Sequence, residues 1–349
     1  MDEELLAASA KHPIVSNHKY TYGTAGFRMQ ADLLEGVSFR VGLLSSLRSR
    51  KLNGQAIGVM VTASHNPAVD NGVKIVDPMG EMLEQEWEAH ATRLVNCPSD
   101  QDLLDTYKAL ATQLKVDLNA PARVIYGRDT RPSGHSLVAA LADALQATGA
   151  EFTDYKILTT PQLHYLVRCT NTEGTPKAYG VVSEIGYYEK LADAFARALR
   201  YRNIQGQLQV DCANGVGGPK LSEFLKYVSK DIEFDVKVVN DDVLRPEVLN
   251  LEVSFAISNC LTLTEEQMDT HTKSQTPREN TNAVLSAVPI SSRPSSVLRP
   301  TPDLQTASGV APWMEMQIAS YTTGSTRKQA SSCSMVIEFP PSLHLSSAT

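Results

Sequence analysis

The chain has 349 residues, 42% of them hydrophobic and 20% charged, with a formal net charge of −7. That mixture excludes a wholly disordered or collagen-like polymer and predicts about two domains at roughly 150 residues each. The acidic balance leaves no footprint for nucleic acid or membrane partners, no apolar run reaches the ~18 residues of a bilayer span, and the opening MDEELLAASAKHP does not read as a signal peptide, so a soluble, cytoplasmic protein is expected.

In chain order, Val37–Leu47 carries apolar residues at helical spacing, and Ile57–Val61 (IGVMV) is a short buried-strand run. Glu84–Leu94 and Asp102–Leu118 predict amphipathic helices. Arg123–Tyr126 is another apolar strand, followed by the loop GRDTRPSG. Ser133 or Gly134 then caps a helix to about Thr148, stopped by Gly149, and Phe152–Leu158 returns as a strand. Strand, loop, helix and strand over about 35 residues make a βαβ unit, which requires parallel pairing. After a polar break near Asn171–Lys177, a helix from Tyr187 to about Arg200, a strand Gln207–Cys212, the loop DCANGVGG, a helix Pro219–Val228 and a strand Glu233–Val239 form a second unit. The expected fold is α/β: two similar α/β domains with mixed, largely parallel sheets flanked by helices, then an irregular or disordered tail. The boundaries fall at 1–172, 173–252 and 253–349.

Four loops could carry chemistry. TASHNP (Thr62–Pro67) follows a strand at the sheet's carboxyl edge, where α/β proteins place their sites. Its Ser64 suits a nucleophile or phosphate carrier, although six such letters alone also describe an ordinary turn. GTAGFR (Gly23–Arg28) combines glycines, backbone donors and a guanidinium, a set that fits a phosphate. GRDTRPS (Gly127–Ser133) puts Arg128 and Arg131 around Asp129, either as phosphate ligands or as an internal ion pair bracing the loop. DCANGVGG (Asp211–Gly218) could bind an anion through its amides or simply turn tightly. Lys74 follows in NGVKI, near enough in sequence to face the same site. No GxGxxG or GxxxxGK[ST] occurs, which removes support for a nucleotide site. The cysteines (Cys97, Cys169, Cys212, Cys260, Cys333) lack CxxC spacing, against a disulfide framework and a zinc site.

In combination, YGTAGFR (Tyr22–Arg28), VTASHNP with DNGVKIVDPMGEML (Val61–Leu83), GRDTRPS, LTTPQLHY (Leu158–Tyr165), GYYEKL (Gly186–Leu191) and DCANG (Asp211–Gly215) resemble, in order, the eukaryotic phosphoacetylglucosamine mutases of the α-D-phosphohexomutase superfamily. The resemblance spans roughly residues 20–252 and does not extend into the tail. It implies reversible interconversion of N-acetylglucosamine 6-phosphate and 1-phosphate on the way to UDP-N-acetylglucosamine. Ser64 then carries the transferable phosphoryl group, and Arg28, His65 and Lys74 steady phosphate or assist proton transfer. Thr24, Gly26, Arg28, Asn66, Arg128 and Arg131 contact substrate. Mg²⁺ bridges the phosphate of Ser64 and an Asp-rich loop. That loop, a sugar loop and a distal phosphate loop are absent from the 349 residues, so the chain as written is expected to be inactive or nearly so. The alternatives are a mutase for another hexose phosphate and a non-catalytic sugar-phosphate-binding fragment.

Codon arithmetic accounts for the missing loops. Trp313–Ala319, read from the third base of the tryptophan codon, permits Asp-Gly-Asp-Ala-Asp-Arg, the family's metal loop. The same frame turns Met335–Phe339 into a permitted Asp-Gly-Asp-Arg-Ile. It also turns Ser286–Arg293 into Cys-Gly-Ala-Asp-Phe-Val-Lys, which in the family follows LNxx, here Leu249–Glu252. An intron opening at the Val253 codon and closing within the Ser286 codon, 33 codons and two bases long, produces that frame change. Residues 253–285 are therefore expected to be intron read-through and 286–349 out-of-frame sequence.

Overall fold

The computed structural model describes residues 2–204 and 206–250, with three short strands further on at 283–284, 316–320 and 332–335. Eleven elements make the first unit: α1 (Asp2–Ser9), β1 (Phe27–Gln30), α2 (Glu35–Lys51), β2 (Ala56–Val61), β3 (Asp70–Val76), α3 (Gln85–Val95), α4 (Asp100–Gln113), β4 (Arg123–Arg128), α5 (Gly134–Ala147), β5 (Glu151–Ile157) and α6 (Thr160–Thr172). The five strands lie in the order β1-β3-β2-β4-β5. The pairs β2/β4 and β4/β5 are parallel, whereas β3 runs antiparallel to both β1 and β2, so the sheet is mixed as expected.

β2 (AIGVMV) is buried at every position, as a central strand covered on both faces must be. One face lies against α2, whose residues are buried without interruption from Gly36 to Arg50. Its apolar side chains join Leu137, Leu141 and Leu145 of α5 in one large core. Gly42 lets the two helices approach: a Cβ there would meet Ala144 Cβ at 2.8 Å and Leu141 O at 2.9 Å. Burial of so many polar residues in α2 is tolerated because each finds a partner. Ser38 Oγ donates to Leu137 O at 2.6 Å, Arg50 Nη2 donates to Thr148 O at 2.6 Å, and Arg48 forms a two-pronged pair with Asp77 at 2.9 and 2.6 Å. The opposite face of the sheet packs Met60, Val76 and Ile125 against Leu163, Leu166 and Val167 of α6.

Several elements depart from expectation. α1, β1, β3 and α6 have no counterpart in the periodicity. α4 ends at Gln113 rather than Leu118, because the chain turns through Lys115 at φ 54°. Ser133 occupies the position before α5 but caps nothing: its backbone is helical, and its hydroxyl accepts from Asn71 Nδ2 at 2.9 Å. Gly149, at φ +64°, does end α5.

The second unit comprises α7 (Glu184–Ala198), β6 (Gln207–Asp211), α8 (Gly217–Val228) and β7 (Asp235–Val239), with β6 and β7 parallel. α7 starts before Tyr187 because Ser183 Oγ accepts from Gly186 N at 2.9 Å. Among the described residues this unit has two strands rather than a second five-stranded sheet, and a small core of Ala192, Ala196, Val228 and Ile232. The tail expected over 253–349 lies outside the described residues, except that β8 (Ala283–Val284), β9 (Met316–Ser320) and β10 (Ser332–Met335) pair antiparallel.

Candidate active site

β2 delivers its last residue, Val61, to the carboxyl edge of the sheet, and the loop Thr62–Pro67 turns back toward β3. Ser64 sits on this turn, exposed, at φ 55°. A left-handed conformation costs a non-glycine residue about 1–2 kcal/mol, so the surroundings must hold it. They do so through specific bonds. Ser64 N donates to Thr62 Oγ1 at 3.0 Å, and Thr62 Oγ1 donates to Asp129 Oδ2 at 2.7 Å. Arg131 Nη2 donates to both Ser64 O (3.0 Å) and Asn66 O (2.7 Å). Arg131 is itself fixed by an ion pair with Asp129, whose Oδ1 accepts from Arg131 N at 2.9 Å. The Asp129–Arg131 pair therefore braces not only its own loop but also the serine loop 65 residues away in sequence.

Antiparallel pairing of β3 with its two neighbours brings the other groups in. Phe27 pairs with Val73 and Arg28 with Gly72, while Met60 pairs with Lys74 on the other side. Arg28, from the edge strand β1, and Lys74, from β3, thus flank the serine loop. Arg28 Nη1 donates to Asn66 Oδ1 at 3.5 Å, and Asn66 Nδ2 donates to Asp70 Oδ2 at 2.9 Å. Gly26, at φ +79°, is buried against Lys74, where a Cβ would lie 2.7 Å from Lys74 Cβ. Thr24 is exposed on the same turn, which Gly26 N closes by donating to Gly23 O at 2.8 Å.

The electrostatics are those of an anion receptor. Burial, followed by the Arg28 guanidinium, pushes the Lys74 ammonium down to about 8. Burial lowers His65, with Arg28 and Arg131 adding to the effect. Arg28 is lowered by burial and by Arg131, against a smaller opposing pull from Asp70. These groups share one positive potential. The buried Nε atoms of Arg28, Arg128 and Arg131 have no hydrogen-bond partner among the described residues.

Not every expected residue joins this cluster. Arg128 is buried at the end of β4, where its guanidinium faces His135 Nδ1 at 3.4 Å and Asp154 Oδ1 at 3.7 Å. Two residues without an assigned role prove relevant. His164, inside TTPQLHY, contacts Gly80 O through Nδ1 at 2.7 Å and is lowered to about 4 by burial and by Lys74. Asn250, in the LNxx segment, reaches the serine loop from the second unit.

A divalent cation fits these residues poorly. Asp129 is engaged by Arg131 and Thr62, and Asp70 accepts from Asn66. Among the described residues no group of three or more His, Cys, Asp or Glu could hold a metal ion, and no helix is long and apolar enough to cross a membrane.

The profile of the phosphoglucomutase/phosphomannomutase α/β/α domain I matches residues 44–101 and 99–182. Over 266 residues the chain is 44% identical to a phosphoacetylglucosamine mutase of Candida albicans, spanning 72% of this chain and 48% of that protein. Over 237 residues it is 46% identical to the Homo sapiens enzyme, spanning 67% and 42%. A crystal structure of Aspergillus fumigatus N-acetylphosphoglucosamine mutase with GlcNAc-6P and magnesium superimposes with a TM-score of 0.67 at 57% identity, over 72% of this chain and 46% of that one. A serine-to-alanine variant of the same enzyme, bound to glucose 1,6-bisphosphate, gives a TM-score of 0.70 at 56% identity over the same shares. The chain thus spans about half the length of the relatives it matches. It carries the phosphoglucomutase/phosphomannomutase α/β/α domain I and, over 67–72% of its length, is a homologue of the phosphoacetylglucosamine mutases.

Proposed function

We propose that the gene behind this chain encodes a mutase that interconverts N-acetylglucosamine 6-phosphate and 1-phosphate, with Ser64 as the phosphoryl carrier. The observation that carries the reading is the exposed Ser64 hydroxyl, held in a left-handed turn by Arg131 and flanked by Arg28, His65 and Lys74. The relatives crystallised with GlcNAc-6P and with glucose 1,6-bisphosphate support the substrate class.

In the proposed reaction a sugar hydroxyl attacks the phosphorus of phosphorylated Ser64. The new sugar O–P bond forms as the Ser64 Oγ–P bond breaks, and the hydroxyl proton leaves to a base. The sugar, now carrying two phosphates, turns over and returns the other phosphoryl group to Ser64 Oγ. Such transfers depend on position and charge neutralisation. Arg28 and Arg131 supply fixed positive charge at the serine loop. Lys74, titrating near 8, can hold or release a proton close to neutrality, which suits a general acid or base. Thr24 is exposed on the Gly23–Gly26 turn beside Lys74, and Asn66 accepts from Arg28. Arg128, at the end of β4 and 3.7 Å from Asp154, remains a proposed substrate contact.

Mg²⁺ is part of the expectation, yet the described residues offer it only the phosphate of Ser64. Carboxylate ligands must come from elsewhere, and the shifted reading of Trp313–Ala319 would supply them. The 349-residue chain is accordingly proposed to bind sugar phosphates with little or no turnover. A cytoplasmic site of action, in the supply of UDP-N-acetylglucosamine, belongs to the same proposal.

The experiment pairs calorimetry with a coupled mutase assay on the purified chain. Binding of GlcNAc-6P without turnover is expected, and appreciable Ser64-dependent turnover would overturn the inactivity. A transcript amplified across codons 253–286 should be about 101 bases shorter than this reading frame requires, and only the longer product would refute the splicing account.

A further inference from the structure

We infer that Asn250 is a positioning residue, a clasp by which the second unit fixes the serine loop of the first; this rests on Ser64 being the phosphoryl carrier. Asn250 Nδ2 donates one hydrogen to Ser64 O at 3.1 Å and the other to Asn66 O at 2.8 Å, across 186 and 184 residues of sequence. These are the same two carbonyls that accept from Arg131 Nη2 at 3.0 and 2.7 Å. Each oxygen has two lone pairs, and each is used twice. Two NH₂ groups, one from each unit, thus close a ring of four hydrogen bonds around the residues on either side of His65.

The anchoring of Asn250 itself shows why this side chain is needed. Its backbone N donates to Ala213 O at 3.1 Å, tying it to the loop after β6. That loop is stiffened by Asp211, whose Oδ1 accepts from Ala213 N and Oδ2 from Asn240 Nδ2, both at 2.8 Å. Asn250 has φ +58°, a conformation asparagine tolerates far better than most residues. Glycine would meet the backbone demand without donating, and aspartate would meet the shape while facing two carbonyls with an acceptor. Asparagine alone satisfies both. The consequence is directional. Arg131 holds the serine loop to its own sheet, whereas Asn250 makes the loop's position depend on where the second unit lies. Phosphoryl transfer is sensitive to displacements of about 1 Å, so the clasp should act on the chemical step rather than on sugar affinity.

The test uses Asn250→Gly and Asn250→Asp. In the 349-residue chain, amide exchange over peptides spanning 62–68 should accelerate at least tenfold in both variants, while peptides over β2 and β4 stay protected. In the frame-restored product, kcat for GlcNAc-6P should fall ten- to a hundredfold with KM within threefold of the parent. Loop exchange within twofold of the parent in both variants would overturn the clasp. So would loss of β2 protection in both, which would make Asn250 a stability residue, or a rise in KM at constant kcat. If the parent product shows no turnover the functional reading fails by itself, and the exchange result still decides whether the clasp exists.

Discussion

The two units of this chain are built from the same kind of parts and buried to different depths. In the first, β2 is wholly buried and α2 is enclosed over fifteen consecutive residues between the sheet, α3 and α5. In the second, β6 and β7 have half-buried or exposed positions along most of their length, and α8 buries only Gly218 and Val228. Parallel strands need cover on both faces, and among the described residues β6 and β7 are covered far less completely than β2. The contrast teaches where stability and function reside. The serine loop is carried by a unit with its own core, while the unit that clasps it draws little stability from burial.

Substitutions sharpen this contrast. The largest effect should come from Arg48→Ala, which leaves the Asp77 carboxylate, 3% exposed, without its two-pronged partner. Breaking a buried pair from one side costs about 3–5 kcal/mol, and urea unfolding should show that loss in the transition of the first unit. Next comes Leu44→Ala, at a fully buried position, expected to cost about 2–5 kcal/mol in the same transition. Phe224→Ala, at a half-buried contact of the small second core, should cost about 1 kcal/mol and leave the main transition in place. Equal losses for Leu44→Ala and Phe224→Ala would break the comparison.

The smallest expected effect is electrostatic. Lys74 is pushed down to about 8 by burial and Arg28, so it is charged below that pH and neutral above it. Sulfate, which does not titrate in this range, should bind the serine loop about threefold more weakly as pH rises from 7 to 9.5, the ~0.6 kcal/mol of a solvent-exposed ion pair. Lys74→Met should flatten that profile. For stability the sign is the opposite. The unfolded lysine binds its proton more tightly than the folded one, so between about 8 and the ordinary lysine value Lys74 makes the fold more stable as pH rises.

What the sequence disclosed follows the range of the interactions. Strands β2 and β4 and helix α5 were legible because their apolar pattern is local and strong. β3 was not, since Asp70-Asn71-Gly72 opens it with turn-forming letters, and β1 is only four residues long. α6 was hidden by Pro161, which reads as a breaker although it stands in the first turn, behind the Thr159/Gln162 capping box. α2 was legible over Val37–Leu47, but not its last turn, where Arg48 and Arg50 are buried against partners far away in sequence. The site divides in the same way. Ser64, His65, Arg28 and Lys74 were readable as motif letters, and the antiparallel pairing of β3 with both β1 and β2 brings them together. Arg128 carried the same letters but faces Asp154, because it ends a strand on the far side of β2. Arg131's hold on the serine loop and Asn250's reach from the second unit depend on tertiary placement, and no local pattern announces either.

The most direct test of the central claim is the turnover of N-acetylglucosamine 6-phosphate by the frame-restored product, compared between the parent and Ser64→Ala. The account predicts a fall of at least about a thousandfold, with no phosphate recovered on the 62–68 peptide of the variant. Turnover in the variant equal to that of the parent would contradict it.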